Sequence, residues 1–243
     1  GSLKLEILDA SGRVVDELPA SKRRGLNRVV WSMREKPPRV PPAVQLAFAG
    51  TQGPRVLPGT YTARMTKGGQ VYQHEFDVGL DRRAAFTLDE RKQQYEAAMR
   101  VRKLFGEETA VLERIQAMRA SVAAASGNAA VDAATRSKLA AFDARLDEVR
   151  KRIVATKEGG AITGEERLRE HTDQIYGAIM SYEGAPGTYQ LERIGVLEAE
   201  LADIEQSFEQ VAAAALPGVN EALRAIGQPA LEMPARVPAM ADA

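Results

Sequence analysis

The chain offers two imidazoles, His74 and His171, and no thiol. Without cysteine there is no thiolate nucleophile, no disulfide and no cysteine-ligated zinc or iron–sulfur site, and the redox compartment stays undecided. His171 lies in the run Arg169-Glu170-His171-Thr172-Asp173. A helical metal site would want a carboxylate or second histidine three or four residues away. Leu168 and Arg167 precede it at those distances, so the motif is missing and a solvated helix face is expected. His74 falls on the apolar side of an alternating run, where a packed or edge histidine is expected ahead of a catalytic one.

Carboxylates occur in adjacent pairs, Asp89-Glu90, Glu107-Glu108 and Glu165-Glu166. Two acids flanking a glycosidic bond could act as acid and base or nucleophile, but such pairs sit in clefts lined with aromatics. Aromatic residues make up only 5% here, and Arg and Lys neighbours at helical spacing predict surface ion pairs instead. The run Lys22-Arg23-Arg24 reads as a solvated loop, and the Gly-Gly pairs at 68 and 159 lack the strand, lysine and helix of a phosphate loop. No nucleophile elbow occurs. Catalytic, cofactor-binding and metal-ligating residues are therefore all predicted as none, with no cofactor. Two rivals remain. One is an enzyme whose site forms between domains, which a deep acid-lined cleft near Thr87 would favour. The other is a carbohydrate-binding module using Trp31, Tyr61 or Tyr72 as stacking platforms, although the alternation places these mainly in a core.

The elements that would position these residues divide the chain. With 33 basic and 33 acidic side chains the net charge is zero, which disfavours nucleic acid as a partner. No apolar run approaches the ~18 residues of a membrane span, so none is expected. The opening Gly1-Ser2 reads as a cloning remnant of a piece taken from a longer chain. Composition changes near Thr87, giving an expected domain at 1–86, a second at 87–227 and a poorly ordered tail at 228–243. In the first, residues 3–7, 13–18 and 27–33 alternate, with Trp31 as core anchor. Six prolines break residues 35–59, leaving at most an edge strand at 44–48. Residues 61–65 and 72–78 alternate about a turn at 67–70. Roughly six short strands predict a small antiparallel immunoglobulin-like β-sandwich.

Beyond Thr87 the period changes to three-four. Thr87 with Glu90 forms a capping box. The apolar stripe then runs through Val101, Leu104, Val111, Ile115, Met118 and Val122. Leu139 to Ile153 mark a second helix, a box at Thr163 and Glu166 opens a third, and Ile194 to Ala215 carry a fourth that stops at Pro217-Gly218. A short fifth would hold Val219, Leu223 and Ile226. Short breakers between amphipathic helices predict an up-and-down four-helix bundle. The fold class is thus α+β as two separate domains.

Three stretches carry a resemblance: Leu5-Glu6-Ile7-Leu8-Asp9-Ala10-Ser11-Gly12-Arg13-Val14-Val15, Gly25-Leu26-Asn27-Arg28-Val29-Val30-Trp31-Ser32-Met33-Arg34 and Pro54-Arg55-Val56-Leu57-Pro58-Gly59-Thr60-Tyr61-Thr62. They resemble the C-terminal region of bacterial sortilin-like, sialidase-repeat β-propeller proteins, secreted or periplasmic chains often labelled as glycosyl hydrolases. The block is also similar to the immunoglobulin-like domain of flagellar hook-capping proteins. The helical stretches Gly164-Glu165-Glu166-Arg167-Leu168 and Leu216-Pro217-Gly218-Val219-Asn220-Glu221-Ala222-Leu223 resemble the region C-terminal to that domain in the sortilin-like family. Ser32 departs from the family's usual Asp or Asn after the tryptophan, which bears on a local turn. The resemblance implies an upstream propeller as partner and a periplasmic or secreted location. It also implies a non-catalytic accessory role, since no family catalytic residue maps onto this sequence.

Overall fold

A computed structural model describes residues 3–157 and 164–236. Strands β1 (Leu3–Leu8), β2 (Val14–Leu18), β3 (Gly59–Lys67) and β4 (Gln70–Val78) form one antiparallel sheet in the order β2-β1-β3-β4. Helices α1 (Leu88–Ser126), α2 (Ala133–Ile153), α3 (Leu168–Met180) and α4 (Thr188–Ala225) come after the sheet, so the class is α+β.

The β3–β4 hairpin closes at Lys67 and Gln70 around Gly68 and Gly69, both left-handed at φ 55° and 84°. That is the backbone a two-residue turn needs to match strand twist. Across β1, β3 and β4 one face carries Ile7, Ala63, Tyr61 and Phe76. Trp31 packs on it, its ring 5.3 Å from Tyr61 and 5.9 Å from Phe76. The expected strands at 27–33 and 44–48 are not strands, and the described residues hold one sheet. Trp31 instead anchors an irregular stretch, with its indole N–H donating to the carbonyl of Arg34 at 3.1 Å.

Residues 34–56 form a closed loop. Its ends meet where Glu35 N–H donates to Pro54 O (2.8 Å) and Val56 N–H to Met33 O (2.9 Å). Gly53 sits at the closure, where a Cβ would stand 1.8 Å from the carbonyl oxygen of Glu35. Prolines deny this loop a ladder, so its carbonyls need other donors. Helix side chains supply them: Arg102 to Lys36 O (3.1 Å), Thr109 to Arg39 O (2.8 Å), Arg169 to Pro41 O and Gln45 O (2.8 Å each) and Tyr176 to Gln52 O (3.0 Å). The proline excursion is thus a strap laid along α1 and α3.

The capping box at α1 is present: Glu90 N–H donates to Thr87 Oγ1 at 3.2 Å, and Thr87 N–H to Glu90 Oε2 at 2.7 Å. The helices do not alternate as four neighbours. Gln94 on α1 reaches Ile179 near the end of α3, and Glu108 reaches Thr172 nearer its start. Farther along α1, Arg119 pairs with Asp143 and Asp147 of α2, and Arg136 donates back to Ser126 O. Arg100 meets Glu198 and Arg114 meets Glu205 and Glu209, so α4 runs parallel to α1. Helices α2 and α3 therefore lie in line, both antiparallel to α1 and α4. Lengths explain it: at 1.5 Å per residue α1 and α4 are each about 58 Å long, and α2 with α3 together about 51 Å.

Two more expectations are corrected. Pro217 does not end the fourth helix; α4 runs through it to Ala225, and burial of Val219 and Leu223 in the common core offsets the lost backbone bond. The helix stops at Gly227 (φ 70°), where Gly227 N–H donates to Arg224 O and Gln228 N–H to Leu223 O, a Schellman motif. Residues 228–236, expected as loose tail, return over the helices: Asn220 exchanges two hydrogen bonds with Leu231 (2.8 and 2.9 Å), and Leu231 and Met233 pack on the core. The box at Thr163 and the Gly-Gly pair at 159 lie outside the described residues.

Candidate functional site

The histidines lie on separate elements, β4 and α3. His74 is exposed on edge strand β4, opposite Ala63. His171 is half-buried on α3, its Nε2 3.7 Å from Glu166. Its Nδ1 is buried without a partner. Among the described residues no group of three or more His, Cys, Asp or Glu comes together to hold a metal ion.

The acid pairs split. Glu107 is a surface partner of Lys103 at 2.6 Å and Asp89 of Lys92 at 3.5 Å. Glu108, expected on the surface, is fully buried; Thr172 Oγ1 donates to its Oε1 at 2.6 Å and its Oε2 has no partner. Burial pushes its carboxyl up to about 8, because the charged form loses water and gains only one donor. Glu165, also expected on the surface, is buried instead and accepts the N–H groups of Thr156 (3.1 Å) and Lys157 (2.6 Å), tying down the chain after α2. The Lys22-Arg23-Arg24 run is exposed and irregular.

Of the three aromatic platforms, Tyr61 is buried and donates to Leu57 O at 2.7 Å, Trp31 is half-buried against it, and Tyr72 is exposed beside Gln70. Register puts Tyr61 and Tyr72 on one sheet face with Trp31 packed against Tyr61, and of the three only Tyr72 presents an exposed ring.

The polar residues that the fold does bring together join sheet to helices. Glu35 is buried; Arg13 grips it with two guanidinium N–H bonds (3.0 and 2.8 Å) while Tyr95 of α1 donates to Oε1. Burial and that carboxylate hold the Tyr95 phenol well above its ordinary value. Beside this tie, at the junction expected near Thr87, lies a cleft of about 730 Å³. Its acids are Asp81 and Glu183, both occupied by arginine: Asp81 with Arg83 at 3.2 Å, Glu183 with Arg55 at 2.8 Å and Arg91 at 3.6 Å. The cleft exists, but it presents guanidinium rather than free carboxylate. Arg91 is not singled out by its sequence neighbourhood, although it continues the buried stripe of α1 through Gln94 and Ala98.

No family model, curated protein or solved structure matches the chain.

Proposed function

We propose that this chain is a non-catalytic accessory and interaction segment of a secreted or periplasmic bacterial β-propeller protein. It braces the propeller or makes a protein contact. The observation that carries this reading is the stretch at 19–33. Trp31 docks on the sheet while Leu26 and Val30 stand out at 96% and 79% exposure. Extended apolar side chains that the fold itself leaves uncovered favour a macromolecular partner over a small substrate.

The sheet is read as immunoglobulin-like, supported by the Tyr61 hydroxyl bonded back to the Leu57 carbonyl at the start of β3, as in a tyrosine corner. The helices are read as a bundle that stiffens it. A second reading, hydrolysis at the junction, finds no favouring geometry, since both cleft acids are paired with arginine.

Sedimentation velocity of the chain, alone and with the separately expressed upstream portion of its parent protein, tests the proposal. A monomer that forms a one-to-one complex, lost in the double variant Leu26→Asp and Val30→Asp, is the expected result. A self-associated dimer indifferent to the upstream portion, or turnover of a glycoside or peptide by this chain alone, would overturn it.

A further inference from the structure

The junction cleft carries a positive charge that the fold does not neutralise. Arg91 is only 2% exposed, yet its guanidinium is satisfied mainly by neutral acceptors: Nη2 donates to the carbonyls of Arg55 and Val56, and Nη1 to Gln94 Oε1 at 2.6 Å. A buried guanidinium is ordinarily held by a carboxylate of its own. Its nearest one, Glu183, is 3.6 Å from Nε and lies closer to Arg55 at 2.8 Å. Arg34 stands near enough to Arg55 and Glu183 to feel both charges, and its guanidinium Nη1 donates to Gly53 O at 2.9 Å. Two guanidinium groups, Arg55 and Arg91, thus share one carboxylate, while Arg83 and Asp81 cancel each other farther along the cleft.

The remaining walls are apolar. Val56, Pro58 and Val78 line the sheet side, and Phe86 meets Tyr182 edge to face, with centroids 6.1 Å apart. Met33, at the same cleft, is the one non-glycine among the described residues with positive φ, 55°. A strained residue of this kind persists where its surroundings hold it and concentrates at functional sites. The volume is in the range that holds a small organic ligand.

We propose that this cleft binds an organic carboxylate with an apolar body, its head on Arg55 and Arg91 in place of Glu183 and its body against Phe86 and Tyr182. Arg55 is half-exposed, so its planar fork is free to turn toward an incoming carboxylate. Glu183 is the internal competitor that keeps the guanidinium groups paired when the cleft is empty. This goes beyond the accessory role, and the two fail separately: the cleft is distinct from the exposed Leu26 and Val30.

Calorimetric titration of the full chain with 4-phenylbutyrate, 4-phenylbutyramide and inorganic phosphate tests the proposal, with amide chemical shifts to locate the site. The carboxylate is expected to bind at least about tenfold more tightly than the amide and than phosphate, shifting the amides of Gly79 and Ser181. Arg55→Gln is expected to weaken it about tenfold and Glu183→Gln to tighten it several-fold, with melting curves confirming that each variant is folded. Should Arg55→Gln fail to fold, Tyr182→Ala at the exposed wall is expected to weaken binding as well. No saturable binding up to about 10 mM, equal binding of amide or phosphate, or a Glu183→Gln variant that binds more weakly would each overturn it.

Discussion

The helical half buries a continuous core of 29 apolar side chains among the described residues, running from Ala97 to Leu223. The cluster against the sheet buries four, Ile7, Val15, Val56 and Tyr61, with Leu8 of β1 buried outside it. Each fully buried aliphatic or aromatic side chain stabilises by roughly 1.5 to 3 kcal/mol, so hydrophobic burial alone gives the helices a wide margin and the sheet a narrow one. The sheet makes up the difference with polar ties. Arg13 and Tyr95 converge on buried Glu35, and the strap at 34–56 hands its carbonyls to arginines, a threonine and a tyrosine of α1 and α3. A large apolar core spreads its stabilisation over many side chains, whereas removing one partner of a buried ion pair leaves an uncompensated charge. The two halves should therefore fail differently.

The largest expected effect is in the helical core. Leu201→Asp puts an unpaired carboxylate among Leu197, Ile204 and Phe208, and thermal melts should show a loss of about 4 kcal/mol or outright unfolding. An unchanged melt would remove the helical core as the source of stability.

Next comes Glu108. Its carboxyl is raised in the folded chain, from an ordinary 4.5 to about 8, so the folded state holds the proton more tightly than the unfolded one. Stability from this group is complete below pH 4.5 and is lost as pH rises through about 8. Glu108→Gln mimics the protonated form, so its melting temperature should fall less than that of the parent between pH 5 and about 9. Parallel pH profiles would contradict the assignment of a buried neutral acid.

The smallest effect belongs to the sheet's own hydroxyl. Tyr61→Phe removes the 2.7 Å bond to Leu57 O while keeping the ring against Trp31, and should cost about 1 kcal/mol in chemical denaturation. A cost several times larger would mean that the sheet relies on this corner more than on the strap.

How much of the molecule is legible in the sequence depends on the range of the interaction. The box at Thr87 and Glu90 and the turn at Gly68-Gly69 are decided within four residues, and both can be read directly. The α-helical stripes are legible because their period is local. Burial of Glu108 is available too: it continues Val101, Leu104, Phe105, Val111, Leu112 and Ile115 on the same face, although pairing it with Glu107 pulls the expectation to the surface. Pro217 misleads because tertiary burial of Val219 and Leu223 outweighs its local effect. The in-line placement of α2 and α3 is not legible, since it depends on matching helix lengths across the whole molecule. The strap is hidden for a related reason. Proline marks where a ladder cannot form and says nothing of which distant side chain, Arg169 or Tyr176, will reach the orphaned carbonyl. The change of period near Thr87 can be read, but neither the cleft found there nor its lining of arginine follows from the local pattern.

The central claim is that the sheet is held by its polar tie to the helices more than by its own core. Native-state hydrogen exchange of the parent chain and of Glu35→Gln tests it most directly. The account predicts that amides of β1 to β4 open at lower free energy than those of α1 and α4, and that Glu35→Gln speeds exchange in the strands while leaving the helices as they were. Equal protection in both halves, or a loss shared evenly between strands and helices, would contradict it.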